Sequence, residues 1–113
     1  MNRLNENEVA TLREQIAATA KALRSRELPF LDGVRQLNAL GHEVSQTGHD
    51  EDFMDFVVIE SETDHIPKSS AREMCAQSWL DQCDNEIREV EEFYGKKVDS
   101  ACERLIERFS KSA

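Results

Sequence analysis

The chain has little turn punctuation: four glycines and two prolines among 113 residues. A sandwich or barrel of many short strands needs such residues at regular intervals, so that architecture is excluded. Long hydrophobic runs are missing too. No stretch approaches the roughly 18 apolar residues of a membrane-spanning helix. The polar opening MNRLNENEVATLREQ holds no apolar segment of the kind a signal peptide needs. No membrane association is expected. The three cysteines, Cys75, Cys83 and Cys102, are an odd number without Cys-x-x-Cys spacing. They signal neither a disulfide framework nor a zinc site, and a reducing cytoplasm is the expected setting. Nucleotide-binding and hydrolytic signatures are absent as well: no Gly-x-Gly-x-x-Gly, phosphate loop, His-Glu-x-x-His or Gly-x-Ser-x-Gly occurs.

One segment lacks positive charge altogether. Asp50 to Pro67, DEDFMDFVVIESETDHIP, carries seven acidic residues and no basic one. Its net charge of −7 accounts for most of the −9 of the whole chain, since residues 1–49 balance and residues 68–113 carry −2. Such a patch repels phosphate backbones and attracts basic proteins or cations. Nucleic acid is therefore not an expected partner. The same segment holds the densest apolar cluster, with Phe53, Met54, Phe56, Val57, Val58 and Ile59. It should be both a central core element and the most negative surface.

The rest of the pattern is helical. Val9, Leu12, Ile16, Ala20 and Leu23 recur at steps of three and four behind a capping box, Asn5 to Glu8, and predict a helix over about 6–25. Pro29 suits the first turn of a second helix faced by Leu31, Val34, Leu37 and Leu40. Gly41 reads as the residue that ends it, and GHEVSQTGHD, 41–50, as a polar loop. Asp50 or Asp52 then caps a third element that ends between Thr63 and His65, before Pro67. Its short run Phe56 to Ile59 fits a helix or a buried strand, and the capped flanks favour the helix. Ser70 to Glu73 reads as a second capping box opening a helix. A long stripe follows: Leu80, Cys83, Ile87, Val90, Tyr94, Val98, Cys102, Leu105 and Phe109. It keeps phase across Gly95 and predicts one long C-terminal helix. The expected fold is all-α, a single domain over 1–113 built as a compact antiparallel bundle of four to five helices.

Within SETDHIP, Glu62 and His65 have the Glu-x-x-His spacing used by carboxylate-bridged metal centres in bundles. A second copy of that motif is missing, and His42 or His49 could add a ligand only from the 41–50 loop. The plainer reading places His65 at a helix C-terminus, where the dipole favours it. Ser61, Asp64 and His65 are the residue types of a hydrolytic triad, but neighbours within one turn cannot form the relay. Cys83 and Cys102 fall on the apolar stripe, where thiols are inert. Trp79 reads as junction packing or, less simply, as an interface anchor.

FVVIESETDHIP, together with the later Trp79, Glu86–Ile87, Tyr94, Ala101–Cys102 and Leu105–Phe109, resembles small bacterial proteins sharing an FVxIxSETDHxP motif over about residues 30–110. That resemblance carries over no catalytic residue. In size, acidity and helicity the chain also resembles the immunity proteins that neutralise basic bacterial toxins such as nuclease colicins and contact-dependent inhibition toxins. The expected function is accordingly a protein-binding module, most concretely an immunity or antitoxin-type inhibitor of a basic, nuclease-like toxin. Asp50, Glu51, Asp52, Asp55, Glu60, Glu62 and Asp64, with His65 beside them, would meet the toxin's cleft and imitate nucleic-acid phosphates. No catalytic residue or cofactor is expected. The alternative is a metal-binding protein or metal-dependent enzyme using Glu62 and His65, and a homo-oligomer packed through Trp79 is a third possibility.

Overall fold

A computed structural model describes residues 6–44 and 50–110. Helices α1 (Glu6–Arg24), α2 (Phe30–Val44), α3 (Met54–Glu62) and α4 (Gln77–Ser110) make up its framework, and no strand occurs among the described residues. A 3₁₀ turn, Glu51–Phe53, leads into α3, and a 3₁₀ segment, Ser69–Met74, lies between α3 and α4. The fold is an antiparallel bundle. α1 packs between α2 and α4, and α3 closes the opposite side against the same two helices.

Long-range side-chain contacts fix the register. Between α1 and α4, Arg13 donates to the carbonyl of Arg108, Arg24 pairs with Glu103 and Arg26 pairs with Glu91. Between α3 and α4, Asp52 meets Arg104 and Glu62 meets Tyr94. Between α2 and α3, Asn38 meets Glu60, while Arg35 donates to the carbonyls of Thr63 and Ile66. In each pair one chain number rises as the other falls. The 34 residues of α4 correspond to about 51 Å of helix, enough to run the full 48 Å long axis of the molecule. Its first turns hold the chain that follows α3, through His65–Glu86 and the two-pronged Arg72–Asp84 pair.

Most positions named by the periodicity form the core, while Val9, Leu40, Val57, Ile87, Val90 and Tyr94 are only partly buried. Ile16, Ala20, Leu23, Val34, Leu37, Phe56, Ile59, Val98, Cys102 and Leu105 are fully buried. Phe53 lies between Phe56 and Phe109 with ring centroids 6.2 and 6.3 Å away, both tilted. α4 is continuous through Asp81, Asp84 and Gly95.

Two expectations need correction. Gly41 does not end α2, which runs on to Val44. Gly41 is buried inside the helix because the ring of Phe53 rests where a side chain would start: a Cβ there would lie 2.5 Å from Phe53 Cδ1. Residues 45–49 of the expected loop, and Asn5 of the first capping box, lie outside the described residues. Ser70 to Glu73 opens no α-helix either. The segment forms a 3₁₀ turn without a side-chain cap, and α4 begins only at Gln77. Arg72, between the two residues of the expected box, pairs with Asp84, twelve residues away.

The turn from α1 to α2 carries a strained residue. Arg26 has a φ of 62°, the left-handed region. Its N–H donates to Leu23 O and that of Glu27 to Ala22 O, the hydrogen-bond pair of a Schellman ending in which glycine is usual. For an arginine that φ costs about 1 kcal/mol. Here its side chain is what glycine could not supply: the guanidinium donates to Glu91 at 2.9 Å and Asp99 at 3.0 Å and lies 5.3 Å over the ring of Phe30. Partly buried charge-assisted bonds of this kind contribute about 1.5–3 kcal/mol. In urea denaturation, Arg26→Gly should therefore be less stable than the native chain by about 1 kcal/mol, and Arg26→Ala, which loses the bonds and keeps the strain, lower by about 1 kcal/mol more. Equal stability of the native and glycine forms would show that strain outweighs the ionic node.

Candidate partner-binding surface

α3 has a core face and three others, and its acids divide among them. Phe56 and Ile59 turn inward, as does Thr63 just past the helix end, whose hydroxyl donates to Ile59 O at 2.7 Å. Asp50 and Asp52 sit before the helix, towards the end of α4. The Asp50 carboxylate accepts from the Asp52 N–H at 3.1 Å and so caps the 3₁₀ turn. Arg108 donates to Asp50 at 2.9 Å and to Asp52 at 3.1 Å, and Arg104 donates to Asp52 at 3.1 Å. These two acids are neutralised within the fold, which leaves five of the seven to shape the outer surface.

Asp55 and Glu62 lie on the side facing the middle of α4. The Tyr94 hydroxyl donates to Glu62 Oε1 at 3.0 Å, and the negative charge of Asp55 also acts on that phenol. Phe93 packs edge-on against Tyr94, with centroids 4.7 Å apart, and is 73% exposed. Val58 and Met54 on α3 are also partly exposed, at 39% and 38%. Exposed Glu89 and Glu92 flank Phe93 on α4, and exposed Glu51 precedes α3. Phe93 therefore stands among carboxylates, with exposed Lys96 and Lys97 following it on α4 and Lys97 Nζ 6.0 Å over the Tyr94 ring.

The hydrogen bond to Glu62, with burial second, raises the Tyr94 pKa above its usual value. Because the folded pKa is raised, this stabilisation is complete below the ordinary tyrosine range and is lost as pH rises through the folded value. Tyr94 is the chain's one tyrosine, so an ultraviolet phenolate titration reads it directly. The midpoint should lie above that of a model peptide and fall towards it in Glu62→Ala. An unchanged midpoint would mean that the Tyr94–Glu62 bond does not persist in solution.

Glu60 and Asp64 face α2 instead. Together with Val57 and Ser61 from α3, and Asn38, Ala39 and His42 from α2, they line a groove of about 520 Å³. Val57, expected in the core, is half-buried on this wall. Asn38 is 8% exposed, its Nδ2 donates to Glu60, and its buried Oδ1 has no hydrogen-bond partner. An unmet buried acceptor costs about 1–3 kcal/mol.

His65 stands apart from these groups. It lies beyond α3, pairs through Nε2 with Glu86 and sits 6.3 Å from the ring of Trp79. Glu62 and His65 thus turn to different partners on α4, and His42 belongs to the α2 groove. His49 lies outside the described residues. Among the described residues no three His, Cys, Asp or Glu side chains gather at a point where they could share an ion. Cys83 and Cys102 are buried, and desolvation pushes the Cys102 thiol up to about 11. Such thiols are poor nucleophiles.

The exposed Phe93 and the buried Asn38 are the two features that the sequence pattern does not single out. Phe93 carries an ambiguous signal: it lies three residues after Val90, itself a stripe step, but Tyr94 competes for that place, and Glu91, Glu92, Lys96 and Lys97 lie on either side of the pair. Asn38 carries none, since an asparagine beside Leu37 on a helix reads as surface. No described helix is long and apolar enough to cross a membrane. Comparison with protein-family models, curated proteins and solved structures gives no match.

Proposed function

We propose that this protein is an acidic binding module for a basic protein, most concretely an immunity or antitoxin-type inhibitor that covers the cleft of a nuclease-like toxin. The observation that carries this reading is the exposed Phe93, packed on Tyr94 beside the carboxylates of Asp55 and Glu62. Interfaces concentrate their energy in a few aromatic anchors. Carboxylates around such an anchor steer a basic partner and exclude acidic ones. Asp50 and Asp52 contribute less to this surface, because Arg104 and Arg108 already hold them.

Immobilised native protein, Phe93→Ala and Asp55→Lys/Glu62→Lys should be compared on lysate from the source cells. The native chain should retain a basic protein that is released as salt approaches about 1 M, where screening acts within about 3 Å. Both variants should lose it. Retention of no basic protein, or equal retention by all three, would contradict the proposal.

A further inference from the structure

We infer that the outer face of α4 pairs with a second copy of this chain, antiparallel about a two-fold axis at Phe93. α1 and the turn after it meet α4 through Glu91, Asp99 and Glu103. α3 and the turn before it meet α4 through Tyr94 and Arg104. The outer side is bare. Asn85, Glu89, Phe93, Lys96 and Ser100 follow one another at steps of three and four, so they share one stripe. All five are exposed, Phe93 by 73%.

The order of charges along the stripe names the occupant. Glu89 comes before the aromatic anchor and Lys96 after it. A two-fold axis reverses the copy, so a residue before Phe93 on one chain faces a residue after it on the other. Phe93 then meets Phe93 of the copy, Glu89 meets Lys96, and Asn85 meets Ser100, each contact made twice. Exposed Glu92 flanks the stripe and falls beside Phe93 and Lys96 of the copy. A basic partner would leave Lys96 without a counter-charge across the interface, and a second copy supplies Glu89. The stripe from Asn85 to Ser100 is about 22 Å long, which places the pairing at the small, transient end of specific interfaces. The net charge of −9 opposes association in general, but near 0.15 M salt screening acts within about 8 Å and leaves the contact pairs in force. Self-pairing does not rest on the partner reading. Where that reading holds, the copy covers Phe93 and the basic partner must displace it.

The test is sedimentation equilibrium of the full chain at about 0.15 M salt, from about 1 μM to about 1 mM. The native chain should move from one chain mass towards two across that range. Phe93→Ala should weaken the association about tenfold or more, as loss of an anchor does. Glu89→Lys should weaken it by as much, because it sets two lysine pairs face to face, although it reduces the net negative charge. Lys96→Glu should do the same, and Glu89→Lys/Lys96→Glu together should restore native association, because the pairs return with their signs exchanged. These positions are exposed, so circular dichroism should show native helix content in every variant. A chain that stays monomeric to about 1 mM, a Glu89→Lys variant that associates more tightly, or a double exchange that restores nothing would overturn the pairing. The two proposals fail separately. A basic protein retained by a chain that never pairs overturns the self-pairing alone, and a native dimer that retains no basic protein overturns the partner reading alone.

Discussion

Phe56→Ala should lower the stability of this protein by about 3–5 kcal/mol, the range for emptying a buried phenylalanine site. That is a large share of the roughly 5–15 kcal/mol that holds a domain of this kind folded. Phe56 is fully buried, and its ring lies 6.2 Å from that of Phe53, which also meets Phe109 on α4. Truncation therefore opens a cavity where α3 joins α4, and helices on several sides limit its collapse. Two residues along the same helix, Val58 is 39% exposed, and Val58→Ala should stay within about 0.5 kcal/mol of the native value. Urea unfolding measures both, with the midpoint moving and the slope unchanged. A mild effect at Phe56 would remove α3 from the centre of the core.

Gly41→Val should cost about 3 kcal/mol, at the upper end of the range for overpacking. A Cβ at Gly41 would lie 2.5 Å from Phe53 Cδ1 and 2.7 Å from Cγ. The ring cannot swing clear, because Phe56 and Phe109 lie against it. Gly95→Ala gives the opposite sign. There the nearest atom to a new Cβ is Arg26 Nη2, 3.9 Å away, so only the helix propensity gain acts, up to about 1 kcal/mol. Thermal or urea unfolding of the two variants tests both claims. A stabilised Gly41→Val would mean that Phe53 does not rest on α2.

The same glycine shows what a sequence can and cannot reveal. Helices are local, and the steps of three and four along α1, α2 and α4 name most of the buried residues by themselves. α3 is legible too, because its caps break the tie between helix and strand. Gly41 is not, since a glycine that ends a helix and one that lies under an aromatic ring look alike in sequence. What separates them is the position of Phe53, twelve residues on and in another element. Ser70 to Glu73 has the spacing of a capping box, and spacing alone does not reveal that the segment is a 3₁₀ turn with α4 starting only at Gln77. The acidic segment is visible as charge, and its internal division is not. Arg104 and Arg108, more than fifty residues away, withdraw Asp50 and Asp52 from the surface, while Phe93 and Tyr94 join Asp55 and Glu62 from another helix.

That division can be read in one comparison: the affinity of the retained basic partner for Asp55→Asn/Glu62→Gln against Asp50→Asn/Asp52→Asn. Both pairs remove two carboxylate charges from the same short segment. The first should weaken association about tenfold or more, as loss of close charge pairs across an interface does, and leave folding nearly intact. The second should lose stability, because Arg104 and Arg108 lose their partners, and keep its affinity. Equal losses of affinity in the two would show that net charge alone attracts the partner, and a greater loss in the second would place the binding surface at the end of α4 instead.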